Sequence, residues 1–415
     1  MEKSNQELYQ ERMQRVKDVI ALKAPDRVPI VSPIQAFTYR YAGVSLKEAM
    51  YDYAAARKAA RKFCLDFQPD LDFGPVLMYP AKAMDLLGLQ WFRWPGHGIS
   101  ENTMYQFIEG EYMQEDEYDE FIFDPGHFMT TKWMPRSFGN LKGLEKFPPM
   151  RGSMWYGWLG TVPPFADVPE LWDALEALKK TGAEIARWFE SLDLYKQEIK
   201  AEGFPIAYGG WAFAPFDLLG DTLRGVEGIF TDMIGQPDKL LAAVEKMVPI
   251  AIEAGAAAAE ANDPPMAWIW LHKGSDEFMS VKQFNRFYWP SLKKLICGLI
   301  DKGVIPVVYG EGNETSRLEY YTEIPKGKTT FHFATTDIFK AKDVLKDVCC
   351  ISGNLPNSLM VTGTPDDVKA YCKKLIDYCG KDGGYIMDTS ALLDEAKPEN
   401  VKAMFEYTRE YGVYR

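Results

Sequence analysis

Short apolar runs alternate with amphipathic segments through the C-terminal half of the chain. Met266–Leu271, Val304–Gly310, Thr329–Phe333, Val348–Ser352 and Gly384–Met387 are runs of four to seven residues bounded by polar or glycine positions. Such runs read as buried parallel strands when helical patterns separate them. Arg27–Val31, Leu71–Gly74 and Pro205–Gly210 are weaker candidates, which brings the predicted strands to eight. Between them, 237–261 opens with Pro237 and places Leu240, Leu241, Val244, Met247, Val248 and Ala251 on one face. Capping boxes at Ser45–Glu48 and Ser280–Gln283 open helices to about Phe63 and Gly303, and Thr364–Asp367 opens another. Asp337 caps a short helix, Pro398 begins the last one, and helices are also predicted over 5–23 and 169–202. Eight strands with right-handed crossover helices predict an α/β fold, a (β/α)8 TIM barrel with an N-terminal helical extension.

From about 77 to 165 the periodicity breaks down into Trp, Tyr, Phe, Met, Pro and Gly, with an acidic patch at Glu115–Glu120. This stretch reads as an insertion in a single domain spanning 1–415, either a wall for an apolar ligand or a subunit-contact surface.

Barrel enzymes place their chemistry where the strands end. Glu311 follows the fifth strand between two glycines, and His272 follows the fourth. Neighbouring strands run about 5 Å apart, so the two side chains are expected side by side. A histidine with a carboxylate can hold a divalent metal or move protons, so His272 and Glu311 are candidates for both roles. The bland alternatives are a solvated loop glutamate and a hydrogen-bonded rim histidine. Asp388 closes the eighth strand, where it could instead cap the following loop. His332 lies near the end of the sixth strand and faces inward or outward as packing requires.

Composition narrows the function classes. Hydrophobic residues at 47% and aromatics at 14% supply a large core. A net charge of −12 and a pI near 5.1 argue against a nucleic-acid partner, which needs a basic face. No apolar run approaches the length of a membrane span, and the charged N-terminal helix lacks the apolar core of a signal peptide, so a cytoplasmic protein is expected. Six cysteines with no C-x-x-C pair read as buried free thiols.

Several segments together resemble the uroporphyrinogen decarboxylase superfamily. They are Asp26-Arg27-Val28-Pro29, Gly210-Trp211-Ala212-Phe213-Ala214-Pro215-Phe216 through Arg224-Gly225, Gly353-Asn354 followed by Gly363-Thr364-Pro365, and Gly383-Gly384 followed by Lys397-Pro398-Glu399-Asn400. The resemblance covers nearly the whole chain and implies either tetrapyrrole decarboxylation or methyl exchange with a corrinoid. Departures from the pattern separate these branches. Ile34-Gln35-Ala36-Phe37-Thr38 stands where the decarboxylases carry two arginines for substrate carboxylates, Pro75 replaces an expected aspartate, and Asp221 replaces an expected tyrosine. Substrate carboxylates without their arginines would be left unpaired, so the resemblance is closer to the methyltransferase branch. That branch binds zinc through His-x-Cys before Gly-Asn and a late cysteine. Here Tyr309, Gly310 and Glu311 precede Gly312-Asn313, and the late position is Ser390, so the family's zinc site is not retained.

The resemblance therefore implies a methyltransferase-like enzyme. It would move a methyl group between a small methylated compound, such as an O-methyl compound or aromatic ether, and a corrinoid (cobalamin) on a partner protein. Glu311, His272 and Tyr309 are the candidate catalytic residues, and Trp211, Asn313, His332, Asp388 and Ser390 the candidate substrate contacts. A homodimer is compatible with this reading. A decarboxylase or lyase of a smaller, non-tetrapyrrole acid and a barrel without catalysis are the two alternatives.

Overall fold

The computed structural model describes residues 3–31, 34–206, 210–260 and 262–414. A small sheet inside the insertion holds the first three strands, β1 (Phe92–Pro95), β2 (Gly98–Ile99) and β3 (Gln106–Phe107), in the order β2-β1-β3. The main sheet is parallel throughout and runs in chain order: β4 (Gly210–Phe213), β5 (Met266–Leu271), β6 (Ile305–Gly310), β7 (Thr330–Phe333), β8 (Cys350–Ser352) and β9 (Tyr385–Ile386).

Both faces of this sheet are covered, which explains why its strands read as continuous apolar runs. Ala267, Ile269, Leu271, Val308, Phe331, Phe333, Ile351 and Tyr385 pack outward into the core shared with the helices. Met266, Trp268, Trp270, Val307, Tyr309, Cys350 and Ile386 form a separate inner core with Val16, Val31, Leu71 and Phe73. The period-2 alternation of strand side chains produces this division. Gly210 is required where β4 meets helix Pro237–Ala259, because a Cβ there would lie 2.8 Å from the Ala258 Cβ.

The first two predicted strands differ from expectation. Arg27–Val31 meets the residue just after β9 through an Ile30–Met387 bridge, and Leu71–Gly74 meets the segment before β4 through an Asp72–Ile206 bridge. Pro29 lacks the N–H a ladder needs, and Gly74, at φ +61°, turns the chain into the 3₁₀ helix Gly74–Leu77. Both segments are nevertheless fastened by backbone hydrogen bonds, from Met387 N–H to Pro29 O (2.9 Å), Asp70 N–H to Ile30 O (2.9 Å) and Asp72 N–H to Pro205 O (2.9 Å). The predicted third strand, 205–210, lies partly outside the described residues, and the observed strand begins at Gly210. The helix expected from Ser45 to Phe63 is two helices, Leu46–Tyr51 and Tyr53–Phe67, because the Asp52 side chain accepts from Ala54 and Ala55 N–H and starts a new one. Of the six cysteines, Cys297 is only partly buried.

An ionic cluster anchors the opening segment. Asp70 is fully buried and accepts from Arg15 (2.6 Å), Arg27 (2.7 and 2.8 Å) and the Ile30 N–H (2.8 Å). The insertion is tied to the segment that follows β4. Arg224 pairs with Asp232 (2.6 Å), which also accepts from Tyr118 Oη (2.7 Å), and the Met113 N–H donates to Leu223 O (2.8 Å). Many of the insertion's rings pack on one another, as Tyr79, Phe92 and Tyr105 do, while Met154, Trp155 and Tyr156 are exposed. No helix of the described residues is long and apolar enough to cross a membrane.

Candidate active site

Strand register builds the site. Leu271 pairs with Gly310 at the last position of β5 and β6, so the next residues, His272 and Glu311, leave adjacent strands side by side. Nε2 of His272 stands 3.6 Å from a Glu311 carboxylate oxygen. The helical segment after β4 contributes two aspartates four residues apart. Asp217 is fully buried and accepts from the backbone N–H of His272 (3.0 Å), the backbone N–H of Lys273 (3.0 Å) and Tyr288 Oη (2.5 Å). It therefore fixes the turn on which His272 sits. Asp221 lies 2.6 Å from His272 Nδ1 and also binds the Lys273 ammonium.

The imidazole is thus held between two carboxylates. Burial opposes its charged form, but the Asp221 hydrogen bond and the charges of Asp221, Asp217 and Glu311 outweigh it and raise the His272 pKa to about 9. Burial would also raise Asp221, yet His272 and Lys273 bring its pKa below the usual value. Asp217 is raised by burial and by its neighbour Asp221. Glu311 is raised mainly by burial, against the attraction of His272. Its side chain is still 46% exposed and that of His272 33%, so protein flanks the pair while the pair faces open space. At neutral pH His272 is an imidazolium. Its Nδ1–H is engaged by Asp221, while its Nε2–H has a carboxylate near but beyond hydrogen-bond reach.

One layer down, the inward residues of β5 to β8 in register are Trp270, Tyr309, His332 and Ser352. Tyr309 is fully buried and stacks on His332 at 3.8 Å and 5°. Burial pushes its phenol well above the ordinary value. His332, also fully buried, faces inward, with Nδ1 3.0 Å from Asp388 and Nε2 3.3 Å from the Ser390 carbonyl. Asp388 does double duty by accepting from the Thr389 N–H (2.7 Å). Trp211 lies within β4 and stacks on Trp270 at 5.7 Å. The Ser390 hydroxyl is engaged with Asn357, and the Asn313 amide oxygen accepts from Thr315 N–H and Oγ1 to close its own turn. The structure thus brings His272 and Glu311 together at the rim, sets Tyr309, His332 and Asp388 beneath them, and ties Asn313 and Ser390 to loop architecture.

These donors do not suit a metal ion. Nδ1 of His272 is taken by Asp221, which leaves Nε2 as its one nitrogen for a metal, and a metal there would have to displace the proton that the surrounding carboxylates favour. The Tyr309 phenol is held neutral by burial, and the Ser390 hydroxyl already has partners. Among the described residues there is no group of three or more His, Cys, Asp or Glu side chains that could hold a metal.

Sequence reasoning passed over Asp217, Asp221, Lys273 and Tyr288 as site residues. The i, i+4 aspartate pair after a strand-end motif was the available signal, since that spacing puts both carboxylates on one side of a helix. The positions compared with the decarboxylase arginines are apolar or committed elsewhere. Phe37 is buried against Phe63 and Phe67, and Gln35 Nε2 donates to Tyr105 Oη (2.8 Å).

No curated protein matches the sequence. Among solved structures, a methyltransferase from Methanosarcina mazei has a similar fold, with a TM-score of 0.63 and 16% identity over 96% of this chain and 98% of that one. Residues 154–411 match the family described as uroporphyrinogen decarboxylase (URO-D). The chain belongs to the uroporphyrinogen decarboxylase family.

Proposed function

We propose that this protein is a cytoplasmic methyltransferase of its family, moving a methyl group from a small O-methyl compound, such as an aromatic ether, to a corrinoid carried by a partner protein. In this reading the segments around Ile30 and Asp72 complete an eight-membered barrel, with the site at its C-terminal mouth. The observation that carries the proposal is the placement of the His272 imidazole, clamped by Asp221 at Nδ1 and turned at Nε2 towards Glu311 and open space.

Breaking a C–O bond leaves the electron pair on oxygen, and the departing alkoxide or phenolate needs a proton or a Lewis acid. His272 Nε2–H is placed to donate to that oxygen. A phenolate as basic as that of tyrosine, with a pKa of about 10, takes the proton downhill from an imidazolium titrating near 9. The resulting hydroxyl can donate to Glu311, whose 3.6 Å separation from Nε2 leaves a donor and an acceptor side by side. Asp221 holds the imidazole in place throughout. The reduced corrinoid, when presented, supplies the nucleophile that takes the methyl group. Its access is compatible with a pair that lies at an exposed rim.

Incubating the purified protein with cob(I)alamin and a panel of methyl ethers, methylamines and methyl thioethers tests this reading. Release of the demethylated alcohol or phenol from an ether is expected. No demethylation of any ether, beside an active control enzyme, would overturn it.

A further inference from the structure

We infer that Arg317, with Asp276 as its partner, is the positioning device of the site: together they bind the loop after His272 to the turn after Glu311 and so set the gap between those two side chains. Arg317 is fully buried, and its guanidinium is spent on the neighbouring loop. It donates to the carbonyls of Gly274 (3.1 Å), Ser275 (3.3 Å) and Met279, and to Ser316 Oγ (2.8 Å), and it lies 4.7 Å from the centre of the Phe284 ring. Asp276 answers from the first loop, accepting from Ser316 N–H (3.1 Å) and Oγ (2.6 Å), 3.5 Å from the guanidinium. Backbone bonds from Asp276 N–H to Asn313 O (2.8 Å) and from Asn313 N–H to Glu277 (3.1 Å) close the seam.

His272 and Glu311 themselves share no hydrogen bond, so strand register sets them side by side and the loops that follow them fix the remaining gap. A planar fork with several fixed donors imposes such a geometry, which a lysine ammonium cannot reproduce. Asp221 and Asp217 come from the segment after β4 and hold His272 independently of this seam.

The inference rests on reading His272 and Glu311 as the reacting pair, but its test needs no methyl transfer and can fail independently. The His272 titration is followed by NMR in wild type, Arg317→Lys, Glu311→Gln and the double variant, with His272→Gln assigning the signal among the four histidines. Removing an opposite charge at this range lowers an imidazole pKa by about one unit. Arg317→Lys is expected to lower it comparably to Glu311→Gln, with little further change in the double variant. Should Arg317→Lys fail to fold, Asp276→Asn takes its place in the same cycle. A folded variant whose His272 titrates as in wild type, or effects that simply add, would overturn the inference.

Discussion

Asp221 and His272 meet at 2.6 Å, carboxylate to Nδ1, across two neighbouring strand ends. This contact, more than the facing Glu311, determines what the imidazole can do. It leaves only Nε2 turned towards Glu311 and open space, and it raises the imidazole pKa.

Stability should follow the protonation of His272. Its folded pKa, about 9, lies above the ordinary 6.5, so its contribution is fully present below about pH 6.5 and disappears as pH rises through 9. Allowing for solvent at the rim, the loss is about 2–3 kcal/mol. Urea unfolding between pH 6 and 10 should show this decline in wild type and a flatter profile in Asp221→Asn. Matching profiles would contradict the assigned charge.

Loss of the acid should suppress turnover. His272→Gln is expected to lower kcat for ether demethylation about 100-fold or more, as general acids contribute at least that much. Glu311→Gln should cost less, because the proton stays on His272. Single-turnover kinetics of both variants with one ether would reveal a reversed order, which would move the acid role to Glu311.

Removing metals should change nothing measurable at neutral pH. Dialysis against a chelator, followed by zinc addition, is expected to leave the thermal transition and the His272 titration where they were. A zinc-dependent rise in Tm would show a ligand set formed by deprotonating His272.

The base of the fold depends on Asp70. Replacing it by Asn leaves the largely buried Arg27 without its anion and Arg15 with only the exposed Asp26, at a cost of about 3–5 kcal/mol in urea unfolding. Burial opposes its charge, but the two arginines and the Ile30 N–H hold its pKa below the usual carboxylate value. Its contribution is therefore present above the ordinary aspartate pKa and lost as pH falls through the depressed one. Asp70→Asn should narrow the difference in stability between pH 6 and pH 3.

The alternation along the chain was enough to place β5 to β9, because strands covered on both faces leave long apolar runs and their helices announce themselves through caps such as Ser280–Gln283 and Thr364–Asp367. It also put His272 and Glu311 at strand ends, since each follows its run directly. The segments at 27–31 and 71–74 misled it, because prolines and a left-handed glycine reduce them to bridges while their apolar composition still reads as strand. What the linear order could not express was the third partner. Asp221 is 51 residues from His272, and only the parallel packing of β4 against β5 brings the helix after one strand to the end of the next. The protonation of His272 depends on charges gathered from the helical segment after β4 and the turn after β6, so it is a property of their packing and belongs to neither alone.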